Sequence, residues 1–173
     1  RPKPEEKIRV AVHHLSGLRS AGFFPDPVDP EQSLRRSLAR RRRGADFDAF
    51  RVILHPGSGS VRKNWPLSGY IRLAAMLTAK GFQTTFLCGP AEAEMVPEIE
   101  AAGHAVHASD DLVATCRQLQ MAGGFIGNDS GVGHLAAYLG VPTVAIFGPS
   151  DPARWRPAGL SVSVVRADTG CPP

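Results

Sequence analysis

The sequence has only three cysteines, Cys88, Cys116 and Cys171, an odd number with no C-x-x-C pair. That excludes a disulfide framework, argues against a zinc ribbon, and leaves buried or incidental thiols in a reducing cytoplasm as the expectation. No run approaches the roughly 18 consecutive apolar residues that a membrane-spanning helix requires. There is no apolar signal-peptide core near Arg1 and no initiating methionine, and the second absence suggests a piece of a longer protein. Disordered and collagen-like classes are excluded by what is present: 173 residues, 43% hydrophobic and 21% charged, enough to bury a sizeable core.

The chain also lacks a strong charge of either sign, and the modest +4 is unevenly placed. Residues 1–51 hold 12 Lys/Arg against 7 Asp/Glu, whereas residues 52–173 hold 8 against 9. Fifteen of the 18 glycines lie in that second part. The basic excess therefore belongs to a glycine-poor leader, and a nucleic-acid surface is not expected on the glycine-rich body. In the leader, Ile8, Val12, Leu15 and Leu18 recur at helical spacing before Gly22. Pro25, Pro27 and Pro30 then break the chain, and a polar helical stretch from Glu31 ends in Arg40-Arg41-Arg42-Arg43-Gly44. With so few apolar positions, residues 1–50 read as a linker and residues 51–173 as the folded body.

From Arg51 the pattern alternates between strands and helices. Val52 to His55, Phe82 to Cys88, a short piece around Ala105-Val106, Phe125 to Gly127 and Pro142 to Phe147 read as strands. Between them, Tyr70, Leu73, Ala74 and Leu77 mark a helix closed by Gly81. A Glu-rich helix follows to Ala102, and another carries Leu112, Cys116 and Leu119 on one face. Ser130 to Leu139 forms a further helix, closed by Gly140. This alternation predicts an α/β fold, a Rossmann-like doubly wound parallel sheet whose ligands bind where strand carboxyl ends meet helix amino ends.

Three junctions at that edge concentrate glycine and polar residues. The first is His55-Pro56-Gly57-Ser58-Gly59-Ser60-Val61-Arg62-Lys63-Asn64-Trp65-Pro66. Small residues let backbone amides approach an anion, and Lys63 can neutralise a phosphate. It is neither a Walker loop nor a dinucleotide fingerprint, because Arg62 precedes Lys63 and stands where a third glycine belongs. A flexible surface turn with a solvated lysine is the alternative.

The second junction is Gly127-Asn128-Asp129-Ser130-Gly131-Val132-Gly133-His134. Val132, Leu135, Ala136 and Leu139 form the stripe that faces the sheet, which places Ser130 and His134 together on the other face. Both lie near the helix start, where free amides and the helix dipole favour an anion. A plain cap by Asp129 or Ser130 explains those two residues, but not Gly131 and Gly133 inside the first turn. A Ser-His hydrolase is a poor fit, because Asn128 and Val132 occupy the glycine positions of G-x-S-x-G. In the third junction, Cys88-Gly89-Pro90-Ala91-Glu92-Ala93-Glu94, Glu92 either accepts from a ribose diol or simply favours a helix start. Phe147 to Pro157, with Arg154 and Trp155, closes the same rim.

In order and spacing over about residues 52–158, these pieces resemble the family 9 glycosyltransferases, the bacterial heptosyltransferases of the lipopolysaccharide inner core. The resemblance rests on His55-Pro56-Gly57-Ser58 with Lys63-x-Trp65-Pro66, on Cys88-Gly89-Pro90-x-Glu92, and on Gly127-Asn128-Asp129-Ser130-Gly131-x-x-His134. Gly140-Val141-Pro142-Thr143, Phe147-Gly148-Pro149 and Asp151-Pro152 add to it. It implies the carboxyl-terminal half of a GT-B glycosyltransferase, binding a nucleotide-sugar, typically ADP-heptose. Gly57, Ser58 and Lys63 would then contact donor phosphate or sugar, and Glu92 the ribose, with Asp110 at the nucleoside rim. Asp129 would lie near the sugar, and Ser130, Gly131 and His134 would gather the pyrophosphate.

By the same resemblance, residues 1–50 correspond to the end of an amino-terminal acceptor domain and the interdomain link. The catalytic base is then expected in that missing domain, so the chain alone is expected to bind donor without turning it over. No metal or other cofactor is implied; the partners are the nucleotide-sugar and, through the missing domain, a lipid-linked saccharide acceptor. The expected location is the cytoplasm, with at most peripheral contact at the inner face of the inner membrane. A UDP-sugar transferase or epimerase, and a non-catalytic nucleotide-sugar-binding module, are the alternatives.

Overall fold

Residues 47–166 are described by a computed structural model of the chain. The leader helices, the proline link, the Arg40–Arg43 run and Cys171 lie outside the described residues. Six strands carry the fold: β1 (Asp48–His55), β2 (Gln83–Cys88), β3 (Ala105–Ala108), β4 (Ala122–Asn128), β5 (Thr143–Phe147) and β6 (Val162–Arg166). The helices are α1 (Leu67–Ala79), α2 (Val96–Ala101), α3 (Leu112–Gln120), α4 (Gly131–Tyr138) and the single turn α5 (Pro152–Trp155). Short 3-10 turns at Val61–Lys63 and Pro90–Met95 precede α1 and α2.

Every strand pair is parallel, and the order across the sheet is β3-β2-β1-β4-β5-β6. The chain thus starts in the middle, winds out to β3, and returns to place β4 on the other side of β1. This is the doubly wound order, and the switch in direction leaves a crevice beyond the carboxyl ends of β1 and β4. The predicted fold class holds.

Burial on both faces follows from the period of two along a strand. Val52 and Leu54 join Phe86 and Cys88 under Tyr70, Ala74 and Ile99. The alternate residues Ile53 and Leu87 join Phe125 on the opposite face, under Leu119, Ala136 and Val141. A central parallel strand therefore reads as an unbroken apolar run. The predicted stripes of α1 and α4 both face the sheet, with Leu73 and Leu77 on one cluster and Val132, Leu135 and Leu139 on the other.

Three helices end alike: Gly81, Gly103 and Gly140 each take a positive φ. The following amide reaches back to close the turn, Phe82 to Leu77 O, His104 to Ile99 O and Val141 to Ala136 O. Only glycine adopts that conformation without steric cost, and the helix must stop there.

The structure corrects four sequence expectations. On α3 the buried side chains are Thr115 and Leu119, while Leu112, the first residue of the helix, is 65% exposed. The Glu-rich segment is a 3-10 turn followed by a short α-helix, with Pro97 at the start of the latter. Strand β1 begins at Asp48, earlier than Val52, and strand β6 was not anticipated at all.

Where β1 pairs with β4, the register shifts between Asp48 and Val52, and Gly123 lies against the irregularity. A Cβ at Gly123 would overlap the Ala49 carbonyl, and backbone cannot swing aside as a side chain does. Gly123→Ala is expected to destabilise the fold by about 1–3 kcal/mol, as overpacking of a closed site does, read as a lower urea midpoint with an unchanged slope.

Candidate functional site

Beyond His55, the last residue of β1, the chain enters the first glycine-rich junction. The loop is braced internally. Ser58 Oγ lies 2.7 Å from the Ser60 carbonyl and 2.6 Å from Asn64 Oδ1, and it accepts from the Ser60 amide at 3.2 Å. The Ser58 hydroxyl thus shapes the loop. His55 is buried, with Nδ1 2.9 Å from the Leu87 carbonyl, tying the end of β1 to β2.

The second junction comes within reach because β4 lies beside β1. Lys63 Nζ donates to Asp129 Oδ2 at 2.9 Å. Asp129 is buried while the lysine side chain is one-third exposed, so the pair opens to solvent on its cationic side. The Asp129 amide donates to the Ile146 carbonyl at 3.0 Å, which fixes its backbone to β5. Asn128 is fully buried and bonds to Pro56, Gly57 and Trp65 of the first loop. Sequence reasoning quoted Asn128 within a motif and gave it no role. The signal was a polar amide at the end of an apolar strand, where a buried residue must find partners.

Ser130 is the N-cap of α4, its Oγ accepting from the Gly133 amide at 3.2 Å. This is the plain cap weighed as the alternative, though the hydroxyl proton remains available to a ligand. The two glycines of the first turn have different surroundings. A Cβ at Gly133 would stand 3.4 Å from the Asn128 carbonyl, an ordinary van der Waals contact with the end of β4. At Gly131 a Cβ would meet nothing within 4 Å, so helix packing does not require glycine there.

His134 follows one turn on, in the company of Asp129, Lys63 and the backbone of Trp155. Desolvation holds its imidazole below the usual histidine range. Asp129 and a hydrogen bond to the Trp155 backbone oppose that shift, and Lys63 reinforces it.

The third junction reaches the first through Glu92. Its carboxylate accepts from the Gly89 amide at 2.8 Å and is buried. It lies so close to Gly57 that a Cβ there would overlap it. Of the two readings of Glu92, the structure shows support for the start of its own turn, and in addition a close approach to the first loop at Gly57. Nearby, burial and then the Glu92 charge push the Cys88 thiol up to about 11, which keeps it protonated and unreactive. Asp110 is exposed on the same edge, and no hydrogen bond or ion pair joins it to this cluster; its neighbour Asp111 caps α3.

The structure accordingly gathers Gly57, Lys63, Glu92, Asp129, Ser130, Gly131 and His134 at the switch point, with Ser58 shaping the loop and Asp110 outlying. Among the described residues, no group of three or more His, Cys, Asp or Glu side chains is placed to hold a metal ion. None of the described helices is long and apolar enough to cross a membrane.

With this geometry in place, comparison with known proteins is decisive. The family model for glycosyltransferase family 9 (heptosyltransferase) matches residues 17–173. The chain belongs to glycosyltransferase family 9. It is 32% identical over 153 residues to lipopolysaccharide heptosyltransferase 1 of Pseudomonas aeruginosa, covering 87% of this chain and 42% of that protein. It is 30% identical over 167 residues to lipopolysaccharide heptosyltransferase 3 of Escherichia coli, covering 89% of this chain and 48% of that one. The chain thus spans about half the length of the curated relatives it matches.

An Escherichia coli heptosyltransferase solved with ADP shares the fold at a TM-score of 0.72 and 23% identity, covering 96% of this chain and 53% of that one. A family 9 glycosyltransferase of Veillonella parvula matches at a TM-score of 0.71 and 20% identity, covering 96% and 51%. The sheet is that of a GT-B glycosyltransferase domain.

The depressed His134 gives the family 9 domain a signed pH response. An unfolded histidine takes up its proton near 6.5, the folded one only at lower pH, so acidification through that window favours the unfolded chain. His134→Gln is expected to lose less stability than the wild type between pH 7.5 and 5.5, measured by urea unfolding at the two pH values.

Proposed function

We propose that this chain binds the nucleotide-sugar donor of an inverting heptosyl transfer, with ADP-heptose as donor and a lipopolysaccharide-core saccharide as acceptor. The observation that carries the reading is the Lys63–Asp129 pair at 2.9 Å, set against the start of α4 at the sheet's switch point. The cation and the free amides of Gly131 and Val132 face the place where a diphosphate would develop charge as it leaves. In the reaction proposed, the acceptor hydroxyl attacks the anomeric carbon from the side opposite the ADP, whose departing oxygen takes the bonding electrons. Asp129 would accept from a sugar hydroxyl, Glu92 from the ribose, and His134 would donate to the pyrophosphate once protonated.

The names of the heptosyltransferase relatives and the ADP in a solved neighbour support this choice of donor. The 173 residues alone are proposed to bind ADP weakly and not to transfer. Removal of the proton from the acceptor is assigned to a base outside this chain.

Isothermal calorimetry tests the reading. The wild-type chain is expected to bind ADP in preference to UDP. Lys63→Ala is expected to weaken that binding by about tenfold to a hundredfold, the loss of one or two charge-assisted hydrogen bonds. Absence of ADP binding, UDP outcompeting ADP, or a Lys63→Ala variant with wild-type affinity would each defeat it.

A further inference from the structure

We infer that Asn128 is a positioning residue for the anion site, acting on a ligand through the placement of Lys63; the inference rests on the donor-site reading above. Asn128 is fully buried at the last position of β4. Its Nδ2 donates to the Pro56 carbonyl at 2.7 Å and, more weakly, to the Gly57 carbonyl at 3.4 Å. Its Oδ1 accepts the Trp65 amide at 2.9 Å. Two carbonyls on one side and an N–H on the other admit one orientation of the amide, and only a side chain that donates and accepts at once satisfies them.

These bonds grip the loop at both ends. Pro56 and Gly57 open it, and Trp65 closes it, with Lys63 two residues before the second grip. Between the grips the loop is braced by its own contacts: the Ser58–Asn64 bond and the 3-10 turn at Val61–Lys63. Past the second grip, the Trp65 ring packs edge-on against Tyr70 at 5.0 Å and covers Gly69. The loop behaves as one piece, and Asn128 anchors that piece to β4. The next residue in the chain, just past the end of β4, is Asp129, whose own amide is fixed to Ile146. One buried amide therefore sets the loop that carries the cation relative to the carboxylate it meets, across more than sixty residues of sequence.

Asn128→Asp keeps the shape and the acceptor but sets a carboxylate oxygen against two carbonyls. Lys63→Ala removes the group through which Asn128 is proposed to act. ADP titration of the 173-residue wild type, the two single variants and the double variant forms a cycle, with urea unfolding of each as the check on folding. Asn128→Asp is expected to weaken ADP about tenfold on its own and to add less than about twofold in the Lys63→Ala background. Wild-type affinity in Asn128→Asp, or two losses that multiply in full in the double variant, overturns the inference while leaving the site reading intact.

Should Asn128→Asp fail to fold, Asn128→Ser takes its place in the cycle, since it retains a donor and an acceptor on a shorter arm. Hydrogen exchange of the Trp65 amide in the wild-type chain is an independent readout. Protection comparable to the β4 amides is expected, and exchange at the rate of an open loop overturns the inference. A wild type that binds no ADP overturns the site reading and this inference together.

Discussion

The parallel pairing of β1 with β4 is the constraint on which the rest depends. The strands are joined by more than sixty residues of chain, yet Leu54 lies opposite Ile126 and His55 opposite Gly127. Pairing of this kind needs a buried sheet, and the sheet is buried because α1 and α2 cover one face while α3 and α4 cover the other. With the pairing in place, the carboxyl ends of the two strands end level, and the loops that leave them must share one crevice. Lys63 meets Asp129 for that reason. Without the pairing each would be a charge on a separate surface turn.

The electrostatics are correspondingly local. The net charge of +4 arises almost wholly before residue 52, and residues 52–173 are close to neutral. Against the buried carboxylate of Asp129 stand one lysine, at 2.9 Å, and the start of α4. An uncompensated carboxylate at Asp129 would be costly, so the lysine serves the free domain as well as a ligand. On the donor-site proposal, a phosphate entering here would add negative charge beside Asp129, and Lys63 and the start of α4 are the groups that would counter it.

Much of this was legible in the sequence wherever a local rule decides the outcome. The unbroken run Val52-Ile53-Leu54 marks a strand buried on both faces, and Gly81 and Gly140 mark helix ends through a conformation that other residues resist. The stripe Val132, Leu135, Ala136 and Leu139 fixes which face of α4 meets the sheet. The family was readable from the motif residues at the ends of β1 and β4, because each motif is local to its loop. Less legible was whatever depends on contacts distant in sequence. Strand β6 is an edge strand with little burial, so its alternation is faint. Leu112 looks like a core residue from spacing alone, but nothing covers the first turn of α3 on that side. The approach of Glu92 to Gly57 joins two loops and leaves no trace in either.

Asn128 shows why a motif can be recognised before its parts are understood. Between glycine and aspartate it falls just past the expected strand Phe125 to Gly127, and the sequence assigns it no role. The fold places it one position earlier than the loop, inside the sheet, where a polar side chain is tolerable only with every hydrogen bond made. The three partners it finds belong to the segment that carries the lysine. The cost of burying its amide is offset by the hydrogen bonds it makes to Pro56, Gly57 and Trp65, and those bonds order the loop. The loop has glycine or serine at 57 to 60, residues that resist ordering on entropic grounds, and the buried amide supplies the restraint those residues lack. Small residues let a ligand approach the backbone closely, and Asn128 keeps that backbone in one place to be approached.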